Sequence, residues 1–342
     1  MKLGVNVSHL DAVDTAREAE RLGYDLVVVP EGFRADGATV LGAVATATSR
    51  IGIASGVLQI PARTPATTAL TAATLDALSH GRFRLGLGVS NPDISEGWHG
   101  VAFDHPLGRT REYVEIVRRA LSGERVVHRG EHFRVPLPGR TDHPLVLHTD
   151  PAHDRVPVYL AAVGPRNKEL AGEIADGWLG AFAPPDDLPD TLVSLRAGRE
   201  RAGRGLDGFE VLCGVPVVVG ADVESSADPV RGYLAHFLGM GDPRRNVYSG
   251  LVRRMGYGQA VADVHAHVAA NDQRAAATAV PTELVDRVSL LGPPERIAER
   301  VRAYTACGIT TLVVSPFART TAERLDILRT VAGALDRTGA GV

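Results

Sequence analysis

The segment Gly164–Lys168 has the residue types of an anion-binding turn. Glycine and proline stand directly before a predicted helix, and Arg166 and Lys168 fall in its first turn. Free N–H groups and the positive dipole end of a helix attract negative charge. Basic side chains at this end of a helix are otherwise unfavourable, so a bound phosphate would explain them. The alternative is an ordinary loop with solvated charges.

Two side chains elsewhere could transfer protons. Glu31 directly follows an apolar run, where a carboxylate could act as an acid or base or bind the polar edge of a ligand. The competing interpretation of Glu31 is a helix cap or a salt-bridged carboxylate. In a later loop, His99 could transfer a proton near neutral pH, and Trp98 offers a flat apolar wall. The alternative there is a tryptophan that packs the loop beside a solvated histidine.

Two other patterns are weak indications of a dinucleotide-binding site and a metal site. The segment Gly86–Gly88 begins like a dinucleotide-binding fingerprint, but Asn91 occupies the position of the third glycine. His143, His148 and His153 recur every five residues, a spacing that fits no standard zinc motif. We therefore expect a polar surface there and no metal site.

Alternating apolar and amphipathic stretches predict the elements that position these residues. Each of eight apolar runs is followed by helical sequence, which indicates a parallel sheet covered by helices. Eight such units predict an α/β fold of the (β/α)8 TIM barrel type, with a doubly wound sheet and cap domain as the alternative. The predicted strands are Leu3–Val7, Leu26–Val29, Ile51–Leu58, Phe83–Val89, Val156–Ala162, Gly177–Phe182, Phe209–Val219 and Thr310–Ser315.

The chain is longer than a minimal barrel. A barrel core takes roughly 250 of the 342 residues, so about 100 remain for additions. We expect one domain over residues 1–342, with insertions at about 90–107, 123–155 and 222–288. The second insertion has room for a short strand pair near Arg125–Val135, and the third reads as helical.

Composition excludes several classes of function. Lys and Arg number 37 and Asp and Glu 40, a net charge of −3 without a basic block, so neither nucleic acid nor a membrane is indicated as a partner. Cys213 and Cys307 form no metal or redox motif and adjoin no histidine. The N-terminus lacks the apolar stretch of a signal peptide. We expect a cytoplasmic protein.

Nine stretches spread over nearly the whole chain form a specific set. They are Ser55–Pro65, Ala72–Phe83, Leu85–Gly88, Glu96–Gly100, Arg111–Val114, Tyr159–Pro165, Glu173–Trp178, Leu291–Glu295 and Gly308–Thr310. Together they resemble the bacterial luciferase-like superfamily, and within it the actinobacterial enzymes that use the deazaflavin coenzyme F420.

The resemblance implies a luciferase-like barrel whose mouth holds the cofactor ring. It implies a non-prolyl cis peptide at Gly56–Val57 that presses on the ring, and a phosphate held by the turn Gly164–Lys168. Glu31 matches an acidic position beside the ring. The implied cofactor-binding residues are Ser55, Gly56, Val57, Gln59, Gly88, Asn91, Ala162, Gly164, Pro165, Arg166 and Lys168.

The chain departs from one group of these enzymes. F420-dependent sugar-phosphate dehydrogenases resemble this chain but carry histidine after the acidic residue of the second strand, where glycine follows Glu31 here. They also carry glutamate where Val89 stands. Their mechanism is therefore not transferred. Glu31 and His99 are the candidate catalytic proton donors, and Phe33 and Trp98 the candidate substrate-binding residues.

The resemblance implies a reductase that transfers hydride from reduced F420 to an electrophilic C=C, C=N or C=O bond of a small molecule or natural product. One alternative is an FMN-dependent monooxygenase on the same barrel. Another is a non-catalytic barrel that only binds a cofactor, and a dinucleotide-dependent dehydrogenase is more distant still. Homodimers are common among similar proteins, so a homodimer is expected.

Overall fold

A closed barrel of eight parallel strands forms the centre of the protein. The computed structural model describes residues 1–148 and 155–336. The barrel strands are β1 (Lys2–Asn6), β2 (Leu26–Val29), β3 (Gly52–Ser55), β4 (Phe83–Gly88), β5 (Val158–Ala161), β6 (Gly177–Ala181), β7 (Glu210–Val219) and β8 (Thr311–Pro316). Each strand pairs with the next, and β8 pairs with β1 through Leu3 and Leu312. The predicted (β/α)8 barrel is confirmed, because a doubly wound sheet would leave two open edges.

Helices surround the barrel and extend over one end of it. They are α1 (Ala12–Arg21), α2 (Gly37–Ala47), α3 (Pro65–Leu78), α4 (Pro92–Gly97), α5 (Pro106–Leu121), α6 (Pro165–Ile174), α7 (Leu188–Arg201), α8 (Val223–Gly239), α9 (Val247–Arg254), α10 (Gly258–Ala269), α11 (Gln273–Thr278), α12 (Thr282–Arg287), α13 (Pro294–Ala306) and α14 (Thr321–Asp336). Short 3-10 turns occupy Ile60–Ala62 and Pro185–Asp187. Several helices begin at a proline, which loses no hydrogen bond at that position.

The strands carry apolar side chains on both faces because the barrel is filled inside and covered outside. Large side chains such as Tyr159 and Leu212 fill the interior, while Val27 and Ile53 pack outward against the helices. The buried strands therefore appear in the sequence as continuous apolar runs, without the alternation of a half-exposed sheet. The same packing explains why these runs were readable as barrel strands.

The third predicted strand is interrupted. β3 ends at Ser55, the Gly56–Val57 peptide bond is cis, and a two-residue strand, Leu58–Gln59, then pairs with the end of β4. The cis bond lies at the position that the resemblance implied. The interruption turns the chain at the carboxyl end of the barrel, where the candidate site lies.

Residues 123–148 contain a small hairpin whose strands are His128–Arg129 and Arg134–Val135. A carboxylate on α5 fixes its turn, because Glu112 accepts hydrogen bonds from the backbone N–H groups of Glu131, His132 and Phe133. The predicted strand pair is thus confirmed. The remainder of that predicted insertion, including His153, falls partly outside the described residues.

Residues 222–288 form five helices, α8 to α12, around a separate apolar cluster. A short strand, Leu290–Gly292, follows them and pairs with the end of β7 through Leu290 and Val217. That strand was not predicted, because three residues carry too little pattern. We refer to residues 222–288 as the helical cap.

Candidate functional site

The bulge after β3 exposes one side chain at the barrel mouth. A Cβ on Gly56 would lie 2.1 Å from Cγ1 of Val28, and a Cβ on Gly88 would lie 2.6 Å from Cγ2 of Val57. Only glycine fits at either position. Val57 therefore packs over Gly88 and remains half-exposed towards the mouth, the placement that a residue supporting a planar ring requires.

Ser55 and Glu31 hold this bulge in place. Ser55 Oγ donates to the carbonyl oxygen of Gly86 and accepts from its N–H, both at 2.8 Å. Glu31 Oε2 accepts the N–H of Gln59 at 3.1 Å, while its Oε1 accepts from Arg63 Nη2 at 2.7 Å. The Glu31 side chain is only 9% exposed, so both carboxylate oxygens are committed inside the protein.

The amide of Gln59 orients His99. Its Nε2 donates to the carbonyl oxygen of Glu31 at 3.4 Å, which directs its Oε1 towards the loop after β4. That oxygen accepts from Ser90 Oγ at 3.0 Å and lies 3.2 Å from His99 Nε2. An amide oxygen cannot donate, so His99 carries a proton on Nε2. Among the described residues, its Nδ1 has no hydrogen-bond partner.

The loop that carries His99 is bridged to the helical cap. Asn91 caps α4 by accepting the N–H of Ile94 at 2.9 Å. Glu96 accepts from both terminal nitrogens of Arg245, each at 3.1 Å, and from the N–H of Phe103. Asn91 also contacts the sulfur of Met240. The position of α4 therefore depends on residues almost 150 positions away in the chain.

Two exposed aromatic rings stand at the mouth. Phe33, after β2, and Trp98, after α4, meet edge to face with their ring centroids 5.7 Å apart and their planes at 87°. They are 57% and 69% exposed, and Leu10 after β1 is 82% exposed. Large apolar side chains so exposed at the end of a barrel mark a surface for an apolar ligand.

A cavity of about 250 Å³ opens beside the start of α6. Gly164 precedes the helix without a side-chain cap, and Pro165 begins it. Lys168 Nζ donates to Thr191 Oγ1 at 2.8 Å and lies 5.7 Å from the Trp178 ring. Burial lowers the pKa of the Lys168 ammonium, and the guanidinium of Arg254 lowers it further. The cavity is lined by Ala162, Val163, Pro165, Lys168, Trp178, Ala181, Phe182, Ala183, Asp187, Asp190, Thr191, Ser194, Leu251, Arg254 and Met255.

The second cation at this cavity differs from the predicted one. Arg166 is exposed and is not among the residues that line the cavity, whereas Arg254 of α9 lines it together with Lys168. Arg254 lies 86 positions after Lys168 in a different segment of the chain, so no local pattern could have connected the two. Neighbouring Ala162 has a structural contact, since its carbonyl oxygen accepts from Trp178 Nε1 at 2.8 Å.

The structure thus brings the predicted residues together in two groups. Around Val57 lie Ser55, Gly56, Gln59, Gly88, Glu31 and His99, and around the start of α6 lie Ala162, Gly164, Pro165 and Lys168. Their roles towards a cofactor stay predictions. Arg63, Ser90 and Arg254 were not identified from the sequence, because each acts through a partner distant in the chain.

Metal-ligating side chains are not clustered within residues 1–148 and 155–336. In those ranges, no three His, Cys, Asp or Glu side chains are grouped so that they could hold a metal ion. His153, with its neighbours Asp150 and Asp154, lies outside the described residues. No helix in the described part of the chain has both the length and the apolar character needed to cross a membrane.

Comparison with known families identifies the class of protein. Residues 6–311 match the family model described as luciferase-like monooxygenase, which spans most of the chain. The chain therefore belongs to the luciferase-like monooxygenase family.

Particular relatives narrow the comparison. A Mycobacterium tuberculosis protein named for coenzyme F420-dependent oxidoreductase activity is 36% identical over 329 residues, which cover 92% of this chain and 95% of that protein. An F420-dependent glucose-6-phosphate dehydrogenase of Nakamurella multipartita is 32% identical over 240 residues, or 66% of this chain and 68% of the dehydrogenase.

A solved structure is similar along nearly its whole length. The coenzyme F420-dependent tetrahydromethanopterin reductase of Methanopyrus kandleri superimposes with a TM-score of 0.83. The match covers 98% of this chain and 99% of the reductase, at 21% sequence identity. At that identity the likeness establishes the shared fold.

Proposed function

We propose that this protein is an F420-dependent oxidoreductase that reduces an electrophilic C=C, C=N or C=O bond of a small molecule. The observation that carries the proposal is the cavity at the start of α6, where Lys168 and Arg254 converge on a helix end that attracts anions. The relatives named for F420 favour that cofactor over FMN.

The residues present fit such a cofactor at both ends. Gly164, Pro165 and Lys168 would hold its phosphate, because the helix end and the ammonium both favour negative charge. Val57 would support the ring, since its side chain packs over Gly88, where a Cβ would lie only 2.6 Å from Cγ2 of Val57. Ser55, Gln59 and Asn91 would act on the cofactor indirectly, by holding the backbone that borders it.

Reduced F420, when bound, supplies the hydride, and the protein must then deliver a proton to the adjacent substrate atom. His99 is suited to this step in its imidazolium form, which would donate the proton from Nδ1 and return to the neutral ring whose remaining N–H, on Nε2, is bonded to Gln59. Gln59 would act as a positioning residue that fixes which ring nitrogen faces the substrate. Phe33 and Trp98 would pack against an apolar part of that substrate.

Glu31 was the other candidate proton donor. Its two oxygens accept hydrogen bonds from Arg63, Gly37 and Gln59, so a proton on either oxygen would displace one of these donors. This arrangement favours the salt-bridged alternative. We therefore propose that Glu31 positions the segment after β3 and that His99 carries the proton.

Cofactor binding tests the proposal directly. Purified protein is titrated with F420 and, separately, with FMN. It should quench F420 fluorescence to saturation at micromolar concentrations and should bind FMN more weakly. Tight binding of FMN alone would favour the monooxygenase alternative. Binding of neither cofactor would overturn the proposal and leave a barrel with another role.

We also propose a class of partner, an oligomeric state and a location for the protein. We infer a small-molecule substrate from the apolar mouth, no role for nucleic acid from the charge balance, and a homodimer from the resemblance. A cytoplasmic location is inferred from the two cysteines, which form no disulfide framework. Sedimentation of the purified protein would test the homodimer, and a monomer at micromolar concentration would contradict it.

A further inference from the structure

We propose that Arg254 of the helical cap binds the cofactor phosphate together with Lys168, so that one anion joins the cap to the barrel. This inference rests on the proposed function for the identity of the anion. It goes beyond the turn after β5, because it adds a residue from a segment that forms its own apolar cluster. The ligand chemistry is a phosphate ester.

Arg254 has no other partner within the described residues. Among the described residues its guanidinium makes no hydrogen bond or ion pair, although it is the last residue of α9 and lines the cavity. The adjacent Arg253 instead donates to the carbonyl oxygen of Pro243 at 3.1 Å, and Arg245 is paired with Glu96. Within residues 1–148 and 155–336, the neighbouring arginines therefore have partners and Arg254 has none.

Two like charges converge at the cavity. Arg254 and Lys168 both line it, and the guanidinium of Arg254 lowers the pKa of the Lys168 ammonium. Within the described part of the chain, the Lys168 ammonium has only the neutral hydroxyl of Thr191 as a hydrogen-bond partner. An anion between the two cations would replace this repulsion with two charge-assisted hydrogen bonds.

The acidic residues of the opposite wall leave the cavity positive. Asp187 and Asp190 both line the cavity and raise the pKa of Lys168, but Asp187 is also paired with Arg287 at 2.9 Å. Asp190 has no cation bonded to it among the described residues. The three cations Lys168, Arg254 and Arg287 therefore outnumber the two carboxylates, and the excess of positive charge is what a phosphate ester requires.

A shared phosphate has a structural consequence for the cap. Arg254 lies on α9, and Leu251 and Met255 of the same segment line the cavity with it. An anion held from both sides would therefore hold α9 against the start of α6. Binding should slow the hydrogen exchange of backbone amides in both elements, a readout that does not require catalysis.

The decisive variant is Arg254→Gln, with Arg253→Gln as the matched control one residue away. Arg254 is exposed, so its loss should not disturb folding. Fluorescence titration should show Kd for F420 raised on the order of 10- to 100-fold in Arg254→Gln, the range of a charge-assisted hydrogen bond. Arg253→Gln should stay within about twofold of the wild type. Equal affinity of Arg254→Gln and the wild type would overturn the inference.

A second arm separates this inference from the proposed function. Hydrogen exchange is measured with inorganic phosphate as the probe, in the wild type and in Arg254→Gln. If phosphate protects α6 and α9 in the wild type and not in Arg254→Gln, the shared anion site is supported even where F420 fails to bind. If neither F420 nor phosphate protects α9 in the wild type, the shared site is wrong.

Discussion

The two sides of the barrel mouth treat their charged groups in opposite ways. On the side of β2 to β4, Glu31 is enclosed and its oxygens are bonded to Arg63 and backbone N–H groups. On the side of β5 and β6, Lys168 and Arg254 face a cavity, and no carboxylate of the residues that the structure describes is bonded to either. Satisfied charges shape the backbone, whereas unsatisfied charges are available to a ligand.

This difference explains why a charged residue after a barrel strand can serve either the structure or a ligand. Glu31 stabilises the segment that presents Val57, and Lys168 is available for an anion. Five substitutions test this contrast, and they are ordered from the largest expected effect to the smallest.

Replacement of Glu31 should affect folding most. Glu31→Ala leaves the partly buried Arg63 with Asp36 as its remaining carboxylate partner and removes the acceptor of the Gly37 and Gln59 N–H groups, so the free energy of unfolding should fall by about 3 kcal/mol. Urea denaturation measures this, with Glu299→Ala on the exposed face of α13 as the control, which should change it by less than about 0.5 kcal/mol. Unchanged stability of Glu31→Ala would mean that Glu31 is not structural and would return it to the candidates for proton transfer.

Replacement of His99 should affect turnover without affecting cofactor affinity. His99→Asn removes the ring nitrogen that faces the mouth, so kcat should fall about 100-fold while Kd for F420 stays the same. Steady-state oxidation of reduced F420 by an accepted electrophile measures kcat. His80→Asn, at the other end of the barrel, is the control. A loss of cofactor affinity in His99→Asn would assign the histidine to binding.

Replacement of Lys168 should do the reverse of Glu31→Ala. Lys168→Met should leave the urea midpoint unchanged or slightly raised, because a partly desolvated ammonium is removed, and should weaken F420 binding about tenfold. A substantial fall in stability would show that Lys168 is structural, and the contrast between the two sides would fail.

The same lysine predicts a pH dependence. The pKa of Lys168 is lowered by burial and by Arg254, and only the charged form attracts an anion. Affinity for F420 should therefore be full at neutral pH and fall as the pH rises through that lowered pKa, earlier than for an ordinary lysine. Lys168→Arg should remove the fall, because arginine stays protonated throughout.

Replacement of Glu96 should have the smallest effect. The hydrogen bond from Arg245 holds the pKa of Glu96 below its usual value. The contact is therefore present above the ordinary glutamate pKa and is lost as the pH falls through the lowered one. Glu96→Gln should speed hydrogen exchange in α4 at neutral pH, with less change in the urea midpoint than Glu31→Ala. Identical exchange in the variant and the wild type would show that the bridge does not hold α4.

The sequence predicted the fold well because barrel strands are buried on both faces and appear as apolar runs. The eight strands were found within one or two residues except at Ile51–Leu58, which the cis peptide at Gly56–Val57 divides. The position of that bond came from the resemblance to a family. The three-residue strand at Leu290–Gly292 was missed because its pattern is too short.

The sequence predicted which residues belong to the candidate site, but it did not predict which of them form hydrogen bonds or ion pairs with one another. Glu31 and His99 were singled out by position. No local pattern indicates that Arg63 pairs with Glu31 or that Gln59 pairs with His99. Arg254 was missed for the same reason, since its contact with the cavity exists only after the cap folds onto the barrel. Local sequence patterns predict helices and strands, whereas contacts between distant parts of the chain determine the role of each charged side chain.

The central claim is that the chain catalyses reduction with F420. An anaerobic assay in which reduced F420 and a panel of enones, imines and ketones are mixed with the protein tests it most directly. The account predicts enzyme-dependent recovery of the oxidised cofactor's absorbance with at least one of these electrophiles and no requirement for oxygen. Turnover seen only with reduced FMN and oxygen, and none with reduced F420, would contradict it.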